Sequence, residues 1–257
     1  MTTPHSSWAE YYDTAYEQSF GDFYYQLTNA TLKQIGKYVQ PPARIIDFGA
    51  GTGRLSLPLA SQGYKVVAVE PCKEMLSQLK RKSGSEYIED FLGRMQDFRS
   101  NEQYDMAICI FTVLLYLLDE EALDESICAA EHALCPSGLL LMDIPSRATF
   151  QSYGRLTDKI ERIVNVSVQG SDIYRYEETT TVRDADSMIS YADSFPIRYW
   201  DVEHVMTVLD THGFSLYEDL SNVFIGTGSQ YFVMKKINRA EQGAPLDGDS
   251  AALHPRQ

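Results

Sequence analysis

Positive charge, cysteine and histidine are all scarce in this chain, and no long apolar run occurs. The 257 residues carry 22 Lys+Arg against 36 Asp+Glu, a formal net charge of −14. Binding to a phosphate backbone draws its affinity from Lys and Arg that displace counterions, so a nucleic-acid partner is not expected. An anionic membrane surface is disfavoured on the same ground. The longest apolar run, Met106 to Leu118, spans 13 residues including a Thr, short of the roughly 20 that a spanning helix needs. No membrane span is therefore expected. The start of the chain, MTTPHSSWAEYYD, has neither a basic opening nor an apolar stretch, so no secretory signal is readable and a cytoplasmic location is the expectation. The four cysteines, Cys72, Cys109, Cys128 and Cys135, form no CxxC pair and have no His at metal-ligand spacing. His5, His132, His204, His212 and His254 are scattered. No metal site is expected.

What is present reads as a folded α/β chain. Hydrophobic residues make up 44% and charged residues 23%, close to globular averages. Met1 to Ser7 looks frayed, and 238–257 lacks apolar periodicity and reads as a disordered tail. Between them, strand and helix patterns alternate. Ala43 to Phe48 is a short apolar run leading into GAGTG, after which Leu55 and Leu59 recur at helical spacing. Lys65 to Val69 is a β-branched run, followed by a helix with Met75, Leu76 and Leu79 on one face. Met106 to Phe111 gives a further buried strand, Glu120 to Leu134 a helix with Leu123, Ile127, Ala130 and Leu134 inward, and Leu139 to Ile144 another strand after Cys135-Pro136-Ser137-Gly138. Unbroken apolar strands between amphipathic helices imply a mostly parallel sheet covered on both faces, the doubly wound α/β class.

Between Ser146 and Tyr199 the period changes to two. Ile160 to Gln169, Ile173 to Arg183 and Met188 to Arg198 alternate polar and apolar residues, with turns at Gly170-Ser171 and Asp184-Ala185-Asp186. This predicts an antiparallel β insert. Asp201 to His212 follows as a helix with Val202, Val205, Met206 and Leu209 inward and Gly213 as its cap. Phe214 to Asp219 and Tyr231 to Lys235 are the closing strands. The domain reading is an aromatic helical cap over 1–40, a core over 41–145 and 200–236, a β insert over 146–199 and a tail over 237–257.

The most informative segment is Ile45-Ile46-Asp47-Phe48-Gly49-Ala50-Gly51-Thr52-Gly53, a strand that ends in an acid and passes through three alternating glycines into a helix. Glycines permit the tight turn and a close ligand approach. A dinucleotide fingerprint, GxGxxG, needs glycine where Arg54 stands. A bound diphosphate is therefore disfavoured and a ligand carrying an ammonium group favoured. Asp47 and Glu70 both fall at the carboxyl ends of parallel strands, which places them in one crevice at the sheet edge, where open α/β folds bind ligands.

IIDFGAGTGR with Glu70 in VVAVEP, LCPSGLLLMD, and YWDVEHVMTVLDTHGF, in that order, closely resemble motifs of the class I S-adenosylmethionine-dependent methyltransferases. The resemblance covers about Trp8 to Lys235. It implies a seven-stranded sheet in the order 3-2-1-4-5-7-6 with strand seven antiparallel, S-adenosyl-L-methionine as cofactor, and transfer of a methyl group to a small molecule. It implies that Glu70, with Pro71 beside it, receives the ribose hydroxyls, and that Gly49, Ala50, Gly51, Thr52, Gly53 and the neighbourhood of Asp47 receive the methionine portion. Phe91 to Phe98 aligns with an adenine motif commonly written G-D-x-x-D, with Arg94 where the first Asp would stand, so the adenine contact passes to a backbone carbonyl, to Gln96 or Asp97, or to water. Met95 is the candidate to pack on the ring. Phe111 to Tyr116, following a strand, stands where the family faces both cofactor and substrate, which makes Phe111 a cofactor candidate and Tyr116 a substrate candidate. No N-P-P-Y or D-P-P-Y tetrad follows that strand.

Trp8, Tyr11, Tyr12, Tyr16, Phe20, Phe23, Tyr24 and Tyr25 crowd the amino-terminal segment. Tyr12, Tyr16, Phe20 and Phe23 recur at helical spacing, which fits a core-facing stripe, or a lid whose rings touch a sulfonium or the substrate. In the lid reading Tyr12 covers the cofactor and Tyr16 meets the substrate. On the insert, one face carries Tyr174, Tyr176, Glu178, Thr180 and Val182. Its charges read as a solvated sheet face or as substrate contacts, with Tyr176 and Arg198 as candidates. Two other readings stay open: a nicotinamide-dependent oxidoreductase, and a catalytically silent cofactor-binding partner subunit.

Overall fold

The structure, a computed structural model, describes residues 3–184 and 187–237. The first five strands are β1 (Arg44–Phe48), β2 (Lys65–Glu70), β3 (Ile88–Leu92), β4 (Tyr104–Cys109) and β5 (Leu134–Pro145). Four more, β6 (Tyr153–Leu156), β7 (Ile160–Val168), β8 (Ile173–Asp184) and β9 (Ser187–Arg198), precede β10 (Phe214–Asp219) and β11 (Ser229–Lys236). The core sheet has the order β10-β11-β5-β4-β1-β2-β3. Read from the β3 edge, this is the class I order, and β11 alone runs antiparallel to both of its neighbours. The parallel strands are apolar runs because helices cover both faces. In β1 and β2 every residue after the first is buried.

The helices are α1 (Tyr12–Phe20), α2 (Asp22–Tyr38), α3 (Ser56–Ser61), α4 (Lys73–Lys80), α5 (Glu120–Ala133) and α6 (Val202–Thr211). On α5, Leu123, Ile127, Ala130 and Ala133 are buried, which is the stripe that the periodicity requires. Asp201 caps α6, its carboxylate accepting the N–H groups of Glu203 at 3.0 Å and His204 at 3.3 Å. Asp201→Ala is expected to cost about 1 kcal/mol of stability, readable as a lower urea midpoint with an unchanged denaturant slope.

β6, β7, β8 and β9 form a separate antiparallel sheet in that order. β6 is an addition to the expected meander; its four residues leave Leu156 70% exposed and carry little periodic signal. β3 was likewise hidden, because at the sheet edge its IEDFL sequence exposes Glu89 and Asp90. β5 begins at Leu134, ahead of the expected Leu139, with an irregularity in its pairing to β4 and Ser137 at φ 65°. The Pro-Ser-Gly segment that reads as a turn is absorbed as a kink within one strand.

The amino terminus also differs from expectation. Among its described residues the segment is not frayed: His5 is buried and a short 3-10 helix runs from Ser6 to Tyr11. Gly21, at φ 52° and ψ −134°, breaks the helix between α1 and α2. That break ends the 3.6-residue register, so Phe23 turns outward and Tyr24 takes the buried place. Ile237 donates its N–H to the Gly213 carbonyl. The tail beyond it, and residues 185 and 186 of the expected β turn, lie outside the described residues.

Candidate cofactor and acceptor site

β1 and β2 are parallel neighbours, with Asp47 opposite Ala68 and Phe48 opposite Val69. Asp47 and Glu70 thus end adjacent strands at one edge, and both are buried. Glu70 is held on two sides, Oε2 accepting the Gly51 N–H and Oε1 the Cys72 N–H, each at 2.8 Å. Asp47 Oδ2 accepts the Ser56 hydroxyl at 2.6 Å. Burial pushes the Glu70 carboxyl up to about 7 against the pull of those two amides, and burial likewise pushes Asp47 up to about 6. Gly49, Gly51 and Gly53 lie at φ 74°, 57° and 87°, a region that L side chains rarely adopt. A Cβ on Gly49 would stand 2.5 Å from Val113 Cγ2, whereas on Gly51 it would meet only Met75 Cε, at 3.5 Å. Ala50 and Thr52 are buried and Pro71 is exposed.

The amino-terminal cap is fastened to this loop. Asp13 accepts the Thr52 hydroxyl at 2.5 Å and pairs with Lys82 Nζ, which also donates to the Thr52 carbonyl at 2.7 Å. Sequence reading did not single out Asp13.

Beyond β4 the chain makes a strained turn. Phe111 and Thr112 have φ 71° and 68°, each costing about 1–2 kcal/mol for an L residue. The Arg54 guanidinium lies 4.5 Å from the centre of the Phe111 ring, and Tyr16 and Tyr24 flank the same ring at 5.6 and 5.9 Å. The buried Asp143 carboxylate accepts the Thr112 N–H at 3.0 Å.

On the adenine side, Met95 and Gln96 are both buried. The Met95 sulfur lies 3.9 Å from Cys109 Sγ, and the Gln96 side chain takes the Ser126 hydroxyl at 3.4 Å. Both therefore point into core packing. Arg94 forms an exposed bidentate pair with Asp97, at 2.8 and 3.0 Å, which commits the Asp97 carboxylate.

A second cluster forms where the cap meets the β6–β9 sheet. Trp8, Tyr12 and Tyr16 stack in sequence, with ring centres 5.2 and 4.3 Å apart. Tyr16 and Tyr176 each accept a hydrogen bond from Arg162 Nη2, at 3.2 Å. Arg162 and Glu178 have fully buried side chains and pair through Nε and Oε1 at 2.5 Å. The Tyr176 and Thr180 hydroxyls also donate to Glu178, at 3.2 and 3.0 Å. His5 Nε2 lies 2.9 Å from the Tyr116 hydroxyl, and its Nδ1 lies 4.0 Å from Glu178. The structure thus brings Tyr12, Tyr16, Tyr116 and Tyr176 to one side of the molecule. Arg198 does not join them: it pairs with Glu120 at 2.7 Å, donates to the Leu118 carbonyl and stacks over Trp200. The Tyr174–Val182 face of β8 is not a solvated one, because Glu178 and Thr180 are buried on it. Sequence reading missed His5 and Arg162 as site residues, and it placed Glu178 on the Tyr176 face without a partner. The available signal was two opposite charges on the inward period-two faces of adjacent strands, Arg162 between Ile160 and Val164, and Glu178 between Tyr176 and Thr180.

These titrations fix a pH trend. Glu70, Asp47 and Asp143 are raised from 4.5, 3.8 and 3.8 to about 7, 6 and 6, in each case chiefly by burial. The folded state holds their protons over a range where the unfolded chain has lost them, so stability falls as pH rises from about 4 to 7. His5 works oppositely, since burial lowers it from 6.5 to about 4 and the unfolded chain binds its proton first. Three carboxyls outweigh one imidazole. Ligand-free protein is expected to be more stable at pH 5 than at pH 7.5 by urea unfolding; a reversed order would show that these carboxyls are not buried as described.

The donor set suits one kind of ligand. Two buried carboxylates at the strand ends accept hydrogen bonds from hydroxyl or ammonium groups, and they repel a pyrophosphate. Among the described residues no group of three or more His, Cys, Asp or Glu side chains comes together to hold a metal ion. No described helix is long and apolar enough to cross a membrane.

The fold is that of the class I methyltransferases. Residues 45–138 match the methyltransferase domain family. A protein of Geobacillus sp. (strain WCH70) that bears the name of a methyltransferase is 31% identical over 144 residues, covering 55% of this chain and 58% of that one. The chain thus spans little more than half the length of that relative. The crystal structure of an S-adenosylmethionine-dependent methyltransferase from Clostridium acetobutylicum ATCC 824 superposes with a TM-score of 0.78 at 17% identity, covering 89% of this chain and 99% of that one. The S-adenosylmethionine-bound CalS10, an amino pentose methyltransferase from Micromonospora echinaspora, gives a TM-score of 0.73 at 21% identity over 88% and 96%.

Proposed function

We propose that the protein binds S-adenosylmethionine at the carboxyl ends of β1 and β2 and methylates a small molecule held between the amino-terminal cap and the β6–β9 sheet. One observation carries this reading: the buried carboxylates of Asp47 and Glu70 end adjacent parallel strands on either side of a left-handed glycine turn, and Glu70 grips that turn through the Gly51 amide. When bound, the cofactor supplies an electrophilic methyl group on a sulfonium sulfur. Glu70 receives the ribose hydroxyls, with Pro71 at its edge, while the Gly49 to Gly53 turn and Asp47 receive the methionine portion. Phe111 lines the methyl side and Tyr12 covers the cofactor, while Met95 and Gln96, turned into the core, back the adenine side without touching it. Tyr16, Tyr116 and Tyr176 face the acceptor, offering flat apolar rings with polar tips. The chain's own work in such a transfer is to align nucleophile and methyl group and to exclude water. Because CalS10 is an amino pentose methyltransferase, sugar amines are the first acceptors to screen.

Calorimetry tests the cofactor half of the proposal. S-adenosylhomocysteine is expected to bind and NAD to be inert. NAD binding without S-adenosylhomocysteine binding would overturn the reading in favour of an oxidoreductase. Single-turnover incubation with S-adenosylmethionine and candidate acceptors, read by mass, then separates an enzyme from a silent binding subunit.

A further inference from the structure

Asp143 is fully buried in β5, flanked by Met142 and Ile144 and opposite Tyr231 of β11. A carboxylate in such surroundings is costly unless it is well partnered, yet only Oδ1 has a close partner, the Thr112 N–H at 3.0 Å, and Oδ2 has none. The group faces the Phe111 N–H and the Ser229 hydroxyl as well. Its neighbours just beyond the end of β4 are the two consecutive residues with left-handed backbone, neither of them glycine and one of them β-branched, a conformation that persists only when the surroundings enforce it. That turn has consequences on both of its sides. It drives the Val113 side chain into the space that a Cβ on Gly49 would fill, and it lays the Phe111 ring under Arg54, Tyr16 and Tyr24.

From this geometry we infer that Asp143 is a positioning residue for cofactor binding: it clamps the Phe111–Thr112 turn, and through Val113 and Phe111 it fixes the glycine turn and the floor beneath the cap. The inference rests on the S-adenosylmethionine reading above. Asp143 touches neither cofactor nor acceptor and acts only through the turn.

The test is S-adenosylhomocysteine affinity of the full chain by calorimetry, at a temperature well below each variant's unfolding midpoint. Asp143→Ala is expected to weaken binding at least tenfold. Asp143→Asn, which keeps an oxygen to accept the Thr112 N–H, should stay within threefold of wild type. Adding Thr112→Gly to Asp143→Ala should regain at least threefold, because glycine adopts φ 68° without a Cβ penalty and no longer needs the clamp. A merely structural aspartate gives a different pattern: a lower unfolding temperature, unchanged affinity in the folded protein, and no rescue by glycine. That pattern overturns the inference. Should Asp143→Ala fail to fold, Asp143→Leu fills the same space without an acceptor, and wild-type affinity in that variant is equally decisive. If wild-type protein itself does not bind S-adenosylhomocysteine, the cofactor reading is what fails.

Discussion

Replacing Arg162 by methionine is expected to remove about 3–5 kcal/mol of stability, because it strands the Glu178 carboxylate in the interior without its counter-charge. For a chain of this size, that lowers the unfolding temperature by roughly 6–20 °C. The expectation rests on completeness of burial, since neither side chain of the pair is exposed. Exposed pairs such as Arg94 with Asp97, at 62% and 45% side-chain exposure, are worth far less. The loss has a second component, because Arg162 also donates to Tyr16 and lies 4.4 Å from the centre of its ring, so cap and insert part together. The double variant Arg162→Met with Glu178→Leu removes both charges, and it should recover most of what the single variant loses. A double variant no better than the single one would trace the loss to packing and not to an unpaired charge.

Glu70→Ala is expected to weaken S-adenosylhomocysteine binding by about 1.5–3 kcal/mol, the worth of hydrogen bonds to a charged group, or roughly 10- to 150-fold. Two opposed effects act on the ligand-free protein. The Gly51 and Cys72 amides lose their acceptor, while a carboxyl that burial holds near 7 no longer has to be ionised in the interior. Affinity is therefore the sensitive readout and unfolding temperature the insensitive one. Unchanged affinity in a folded Glu70→Ala protein would remove Glu70 from the cofactor site.

How far the sequence alone reaches depends on where each residue's partner lies. β1, β2 and β4 are legible because strands buried on both faces are written as continuous apolar runs. The Asp47 turn is legible because three glycines mark its backbone. The Phe111–Thr112 turn has a comparable backbone and no glycine to announce it; its enforcement comes from Asp143, 31 positions away. Arg162 and Glu178 share period-two faces with Ile160, Val164 and Tyr176, but a charge on a sheet face reads as solvated until a third element, the cap, is known to cover it. Phe23 falls on the core-facing stripe by spacing and lies outside it in the fold because one residue, Gly21, shifts the helical register. His5 lies in a stretch with no period at all, and nothing local foretells its contact with Tyr116.

The contact between Tyr16 and Arg162 also carries a cost of chain closure. The two residues are 146 positions apart, and the aromatic cap is synthesised before every strand it will rest on. Long-range contacts of this kind carry a loop-closure cost that shorter ones do not. Enclosing the cap's rings against the insert thus requires closing that whole span, a cost that the pairing of β1 with β2 does not carry.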